Sequence, residues 1–396
     1  MTPHDSTASP ANVSLPRVPL VPDAVLRRSK AYFEIDTRFR RAARLLQCMW
    51  LTDHDIPIGM HVSGEAGNLV TMELGSNLSR EAAEAGKNFL SPAIHALVRH
   101  TLVMREEGAM FDEERLFGNA LSSMPLVFNL FGPMAIDLRL ATFVFQRLLP
   151  EFVQSVAAIE FEHSPGRFND QFLSDGTAVD LILKVVTPEA KQGIIFIEVK
   201  YSEDMSGPAA RLRERYDIAS REVDLFKDPD SALLRSLALE QLWREHMLTQ
   251  LAVDNGVTSQ AMFVAIGPRL NRRVQAAFRA YEAELIASES DENDRVPFKA
   301  LTLEAVIDAL ADAGAAEIAK ALWRRYCDFE RVYHVALQEF AGATELNYAN
   351  NSERSPNGQG DAHKAIGKMA KLVGTSTTTR SKAKPNSSTT LRGGVS

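Results

Sequence analysis

Three short apolar runs follow one another near the middle of the chain, and each is rich in β-branched residues. They occupy residues 155–162 (SVAAIEFE), 177–186 (TAVDLILKVV) and 193–201 (GIIFIEVKY). A fourth run, residues 260–267 (QAMFVAIG), ends at a Gly-Pro pair of the kind that terminates strands. Runs of this length and composition predict buried strands. Because three of them are consecutive, the pattern predicts a mixed sheet rather than a uniform alternation of strands and helices.

Helical patterns of apolar residues flank these strands. One helix is predicted to open at Gly132-Pro133 and to end at Pro150, and a second, in residues 231–255, is closed by Gly256. The order of helix, three strands, helix and strand indicates an α/β core with a central mixed β-sheet flanked by helices. The predicted portions of the chain are a flexible leader at 1–25, a mainly helical N-terminal portion at 26–131, the core at 132–270, a helical C-terminal portion at 271–346 and a disordered basic tail at 347–396.

Composition and charge narrow the functional classes. The chain has 396 residues, of which 45% are hydrophobic and 24% charged, so it can bury a sizeable core. No apolar run reaches the roughly 18 residues of a membrane span, and we expect no membrane partner. Residues 351–396 carry eight Lys/Arg and two Asp/Glu, a net charge of +6. Because the net charge of the whole chain is −7, the other 350 residues carry −13. Composition therefore indicates no overall basic surface for nucleic acid. The two cysteines, Cys48 and Cys327, suit a reducing, cytoplasmic location.

Charged residues in two of the apolar strands are the best guide to function. Asp180 lies in one predicted strand, and Glu198-Val199-Lys200 ends the next. A charge left uncompensated in a buried strand costs several kcal/mol. Side chains two apart in a strand share a face, so Glu198 and Lys200 should point the same way. The short turn between the strands predicts an antiparallel hairpin, which would bring Asp180 opposite them.

This arrangement offers the parts of a metal site. The carboxylates of Asp180 and Glu198 and the carbonyl of Val199 are hard oxygen ligands of the kind that Mg²⁺ prefers. A bound ion would act as a Lewis acid, and Lys200 would position or activate the attacking water or offset charge in the transition state. The alternative is a buried ion pair with no catalytic role.

The chain contains its own control, Glu189-Ala190-Lys191. This acid-x-lysine triplet follows Pro188 in a polar turn, where a solvated loop is the simpler interpretation. From average charged-residue usage, such a triplet arises by chance about once in 150 residues. The prediction therefore rests on the strand context and on the preceding Asp180, not on the triplet itself.

In this pattern the chain resembles the PD-(D/E)XK nuclease superfamily, which has the restriction-endonuclease-like fold. Asp180 matches the first acid of the motif, Glu198-Val199-Lys200 matches its second half, and the order of elements over residues 132–267 is similar to the family's core. The stretches NLFGPMAIDL, IEFEHSPGR, FIEVKYSE and QLWREHML look like a branch described as restriction endonucleases. The resemblance implies a metal-dependent deoxyribonuclease that hydrolyses phosphodiester bonds in DNA with Mg²⁺ or Mn²⁺, and it leaves a homodimer open.

The resemblance also implies further site residues, with two departures from the family pattern. Val179 precedes Asp180 where the motif has a proline, and the first core helix lacks the glutamate that many members place there. The candidates for an additional acid are Asp137, Glu160 and Glu162. In related nucleases a polar residue on the helix after the motif supports the site, which predicts Gln241 as a catalytic residue. An ordinary surface glutamine is the alternative.

Candidate phosphate-binding residues are arginines near the motif. The densest basic cluster, RLRERYDIASRE at 211–222, offers Arg211 and Arg213, and the later helix offers Arg244. Interleaved acids favour a salt-bridged helix face as the alternative.

The chain has no phosphate loop, no His-Glu-x-x-His and no nucleophile elbow. The two hypotheses are therefore a Mg²⁺-dependent nuclease and a catalytically inactive nucleic-acid or protein interaction module on the same fold.

Overall fold

The computed structural model describes the backbone of residues 15–64, 69–206, 212–286 and 295–353, and side chains up to residue 341. The chain divides into two units, Met1–Glu339 and Phe340–Ser396. The described part of the second unit is the C-terminal part of one long helix. Both sheets, and every residue discussed below, lie in the first unit.

Thirteen helices lie within the described residues. In chain order they are α1 (Asp23–Arg28), α2 (Arg38–Asp53), α3 (Arg80–Glu84), α4 (Pro92–Val103), α5 (Glu113–Gly118), α6 (Ser123–Ile136), α7 (Leu138–Leu148), α8 (Glu214–Glu222), α9 (Glu240–Asp254), α10 (Arg272–Glu284), α11 (Leu303–Asp312), α12 (Ala316–Tyr326) and α13 (Phe329–Glu353). Hydroxyl side chains cap several of them. Thr37, Ser91 and Thr302 each accept a hydrogen bond from the backbone N–H three positions later. Such caps satisfy backbone donors that have no partner within the helix.

Seven strands form two sheets in the same part of the chain. They are β1 (Ile58–Ser63), β2 (Val70–Leu78), β3 (Ser155–His163), β4 (Val179–Val186), β5 (Gln192–Val199), β6 (Ala261–Gly267) and β7 (Phe298–Thr302). β1 and β2 form an antiparallel hairpin, and the other five form one sheet in the order β3-β4-β5-β6-β7. Within it β3, β4 and β5 are antiparallel neighbours, whereas β5, β6 and β7 run parallel. The predicted α/β class with a central mixed sheet is confirmed.

The five-stranded sheet is buried on both faces. On one face Leu181 and Ile197 pack into a core shared with α2, α6, α7 and α11. On the other face Ile182 and Phe196 pack into a core shared with α8, α9 and α10. Strands covered on both sides consist of nearly continuous apolar residues. The few charged residues of β4 and β5 therefore need a specific compensating partner.

Three predicted elements differ from the structure, and the first is the helix predicted in residues 231–255, which begins only at Glu240. Gly132-Pro133 does not open a helix but lies inside α6. The break comes instead at Asp137, which has an extended backbone and accepts a hydrogen bond from the Arg139 N–H at 3.0 Å, so that it caps α7. The portion predicted as helical at 271–346 contains β7, an edge strand of the sheet. With only partly buried and exposed residues, β7 has no apolar pattern to mark it in the sequence.

The structure at the ends of the chain differs in part from the predicted leader and tail. Val18 and Val21 fall within the predicted leader but are buried in the core, and α1 follows directly. Residues 347–353 of the predicted disordered tail lie in α13, and residues 1–14 and 354–396 lie outside the described residues. None of the described helices is by itself long and apolar enough to span a membrane. α6 and α7 would suffice together by length and composition, but they are bent by 113° at their junction.

Replacing Phe196 with alanine should lower the free energy of unfolding by about 3–5 kcal/mol, because the ring is fully buried in a central strand. Phe143 provides the matched control, since its ring is 61% exposed on α7. Phe143→Ala should change the free energy by less than about 0.5 kcal/mol. Urea unfolding followed by circular dichroism measures both variants. Equal losses in the two variants would contradict the assignment of the core.

Candidate active site

Three carboxylates lie in a row across neighbouring strands of the sheet. The register of β4 against β5 places Asp180 beside Glu198, one position beyond the last paired residues. The register of β3 against β4 places Glu162 opposite Asp180, between two paired positions. Directly opposed residues on antiparallel strands share a face of the sheet. The predicted hairpin therefore does bring Asp180 and Glu198 together, and the third strand adds Glu162.

Hydrogen bonds hold two of these carboxylates. The backbone N–H of Val199 donates to Oδ2 of Asp180 at 2.7 Å. Lys200 Nζ donates to Oε1 of Glu198 at 2.5 Å, and the side-chain amide of Gln241 donates to the same oxygen at 2.8 Å. Within the described residues, Oδ1 of Asp180 and Oε2 of Glu198 have no hydrogen-bond partner. Each of two neighbouring carboxylates thus keeps one oxygen for a ligand.

Helix α9 covers this face of the sheet and contributes two polar side chains one turn apart. Gln241 accepts a hydrogen bond from Lys200 Nζ at 2.6 Å, and its Nε2 donates to Oε1 of Glu245 at 2.7 Å. Glu245 is 1% exposed, and among the described residues its Oε2 has no hydrogen-bond partner. The sequence patterns did not single out Glu245. The available signal was its four-residue spacing from Gln241, which places both side chains on one helix face.

Crowding of acids controls the electrostatics of the site. Burial, followed by repulsion from Glu198, raises the pKa of Asp180 well above its ordinary value. The same two causes raise the pKa of Glu245. Burial raises the pKa of Glu162 to about 7, with Arg167 acting in the opposite direction and Glu198 adding to the rise. Three acids that resist ionisation around one place indicate a site that is short of positive charge.

Lys200 supplies positive charge among these acids. Burial acts against its charged form, but attraction to Glu198, and then to Glu245, more than offsets that effect, so the pKa of Lys200 is raised. The side chain therefore stays protonated at neutral pH. A protonated lysine donates hydrogen bonds and offsets negative charge, but it does not accept a proton from water. Positioning the water and offsetting charge, two of the roles predicted for Lys200, are compatible with a protonated side chain.

The loop after β3 holds the third carboxylate. Glu162 has a left-handed backbone with a φ of 54°, which is uncommon for a residue other than glycine. Arg167 donates to the carbonyl oxygen of Glu162 at 3.2 Å and forms an ion pair with Glu106 at 3.3 Å. Glu106 also lies 2.5 Å from the ring of His163. The sequence patterns missed Glu106 and Arg167, which are 61 residues apart and meet only in the folded chain.

The other two candidate acids lie away from this row. Asp137 is the exposed cap of α7. Glu160 forms an ion pair with Lys184 at 2.5 Å. Of the three acids considered, Glu162 alone lies beside Asp180 in the sheet.

The arginines predicted to bind phosphate have different surroundings. Arg213 is exposed at the start of α8, where it donates to a loop carbonyl at 3.0 Å. Arg244 is mostly buried, pairs with Glu240 and donates to Oγ1 of Thr177 at 2.5 Å. Arg211 lies outside the described residues. Arg213 is thus accessible to a ligand, whereas Arg244 is engaged by internal partners.

The Glu162→Gln variant should gain stability over the parent protein as the pH rises. A carboxyl whose pKa is about 7 when folded, against an ordinary value of 4.5, destabilises the fold progressively between those two pH values. This loss of folding free energy reaches its full value, at most about 3 kcal/mol, above pH 7, and it is absent below the ordinary pKa of the carboxyl. Urea unfolding without divalent metal, at about pH 5 and about pH 8, measures the difference. The exposed Glu151→Gln is the control, and an equal gain for Glu162→Gln at both pH values would contradict the assignment.

Comparison with known proteins agrees with this geometry. A family model described as the PD-(D/E)XK nuclease superfamily matches residues 34–328, most of the chain. No curated protein and no solved structure gives a significant match. The matched range contains the whole five-stranded sheet, the row of carboxylates, Lys200 and α9. The family match and the mixed sheet flanked by helices together show that the chain belongs to the PD-(D/E)XK nuclease superfamily, as its sequence pattern predicted.

Proposed function

We propose that the protein is a metal-dependent nuclease that hydrolyses phosphodiester bonds in DNA. Members of its superfamily are typically nuclease hydrolases that use divalent metals. The observation that carries the proposal is one unengaged oxygen on each of Asp180 and Glu198, neighbours across β4 and β5, beside the ammonium of Lys200. Anionic oxygens next to a protonated lysine are the groups that metal-assisted attack on a phosphodiester requires.

The residues present fit a divalent cation by their chemistry. Asp180 and Glu198 would hold it, with the carbonyl of Val199 as a backbone ligand and Glu162 as the additional acid. Burial, together with repulsion from Glu198, raises the pKa values of Asp180 and Glu162, and a divalent cation relieves that repulsion. In the described part of the chain no three His, Cys, Asp or Glu side chains already surround one point, so backbone and substrate oxygens would complete the ligand set. When bound, Mg²⁺ or Mn²⁺ supplies Lewis acidity and lowers the pKa of a water.

Lys200 would orient the attacking water or offset charge on the phosphate. Its Nζ donates to Glu198 and to Gln241, which leaves one of its three N–H donors for water or substrate. The amide of Gln241 has one consistent orientation, because its Nε2 donates to two carboxylates and its Oε1 faces the ammonium. In the reverse orientation, the amide oxygen of Gln241 would face both carboxylates and be repelled by them. Glu245 therefore helps to fix Gln241, which in turn fixes Lys200.

A second candidate function is an interaction module without catalytic activity. The observation that favours it is the direct ion pair between Glu198 and Lys200, which are 4% and 6% exposed. Two of the three charged groups of the motif are thus bound to each other in the core. Binding of nucleic acid or protein without cleavage in Mg²⁺ or Mn²⁺ would support this second function.

Replacing Asp180 or Lys200 with alanine should lower the rate of DNA cleavage in Mg²⁺ by about 100-fold or more, because each change removes a charge that acts on the transition state. Lys200→Gln keeps hydrogen-bonding capacity in the buried network and should be similarly inactive. Cleavage of labelled DNA, with and without EDTA, measures the rates, and circular dichroism verifies that each variant is folded.

Lys191→Ala provides the matched control, since Lys191 ends the second acid-x-lysine triplet at an exposed turn. It should cleave at the parental rate. Parental cleavage by folded Lys200→Ala would show that Lys200 is not required. Cleavage that persists in EDTA would show that the reaction does not depend on a divalent metal.

A further inference from the structure

Phe168 lies on the loop between β3 and β4 and is unusual in two respects. Its large apolar side chain is 66% exposed. Its backbone has a φ of 60°, in the left-handed region that bulky side chains rarely adopt. A strained conformation of this kind persists only where the surrounding structure enforces it, and such positions cluster at functional sites. Because so little of the ring is buried, packing alone does not explain why phenylalanine occupies this position.

The loop and two glycines hold the ring in a defined place. The backbone N–H of Phe168 donates to the carbonyl oxygen of Asp175 at 2.7 Å. The ring lies against Gly108 and Gly176, where an added Cβ would come within 2.9 Å and 3.4 Å of it. A side chain at Gly108 would therefore displace the ring. The backbone of the two glycines supports one side of the ring, and the exposed remainder is open to a ligand.

This ring is tied to the proposed catalytic site through the same loop. Arg167, the preceding residue, donates to the carbonyl oxygen of Glu162 at 3.2 Å and to that of Gly176 at 3.1 Å. Gly176 in turn precedes Asp180 by four positions. Arg213 donates to another carbonyl oxygen of this loop at 3.0 Å, which brings an exposed cation to it. The loop that carries this exposed ring is thus in contact with an exposed arginine and with the backbone of Glu162.

We propose that Phe168 is a stacking platform for an unpaired nucleobase of the substrate, with Arg213 near the adjoining phosphate. An aromatic face beside a cation is how proteins bind single strands without reading their sequence. Bases within a duplex are stacked on their neighbours, so the platform favours a single strand or an unpaired base at an end or mismatch. The inference rests on the proposed nuclease function and specifies its substrate class as DNA with unpaired bases.

Binding of labelled single strands tests this platform. The full-length protein is titrated, with Ca²⁺ in place of Mg²⁺, against a fluorescent thymidine strand and an abasic strand of equal length. The parent should bind the base-bearing strand more tightly. Phe168→Ala should weaken that binding by about tenfold and leave binding of the abasic strand unchanged. Phe168→Trp should bind both strands like the parent, as should the control Phe143→Ala, which removes an exposed ring from α7.

The Phe168→Gly variant distinguishes a role of the ring in stacking on a base from a role in packing the loop. Glycine adopts a φ of 60° without strain, so its melting temperature should equal or exceed that of the parent while its affinity for the base-bearing strand falls. A lower melting temperature with parental affinity would overturn the platform, because Phe168 would then only pack the loop. Equal binding of the two strands by the parent, or binding of neither, would also overturn it. If Lys200-dependent cleavage nevertheless occurs, the nuclease function stands and only the platform is wrong.

Discussion

The buried ammonium of Lys200 is the charge on which the proposed site depends. Around it lie the carboxylates of Asp180, Glu198 and Glu245, and its positive charge offsets the negative charge that these groups bring together. Lys200 is held from two directions, by Glu198 on its own strand and by Gln241 on α9. The sheet and the helix that covers it are thus joined by a charged network as well as by the apolar core between them.

One lysine does not balance the acids that share this face. The raised pKa values of Asp180 and Glu162 are the physical sign of that deficit. A structural ion pair would need only the partners that Lys200 already has. The additional acids, together with the unengaged oxygens on Asp180 and Glu198, support the proposed site for a further cation. The packing of β4, β5 and α9 thus gathers the negative charge that the proposed metal would offset.

The parts of the site that depend on local contacts were predictable from the sequence. β4 and β5 are joined by a short turn, so their register, and with it the pairing of Asp180 with Glu198, follows from the strand period. β3 and β4 are joined by a long loop, which does not fix the register. The strand period alone therefore does not distinguish Glu160 from Glu162, and only the pairing of β3 with β4 places Glu162 beside Asp180.

Most residues that tertiary packing brings to the site carry little or no signal in the sequence. Glu245 is one of three acids on α9, and its contact with Gln241 beside the strand carboxylates appears only in the folded chain. Glu106 reaches the site from the turn after α4 and Arg167 from the loop after β3. Phe168 has no distinctive sequence context, because its interest lies in its backbone conformation and exposure. β7 was missed because an edge strand pairs through its backbone and needs no apolar pattern.

Calorimetric titration of Mn²⁺ into the full-length protein and into its Asp180→Asn variant tests the central claim most directly. We expect saturable binding by the parent and a loss of affinity of about tenfold or more in the variant, because one charged ligand is removed. Glu189→Gln, in the exposed control triplet, should bind Mn²⁺ like the parent. A parent that binds no Mn²⁺, or an Asp180→Asn variant that binds it equally well, would contradict a cation site at the row of carboxylates.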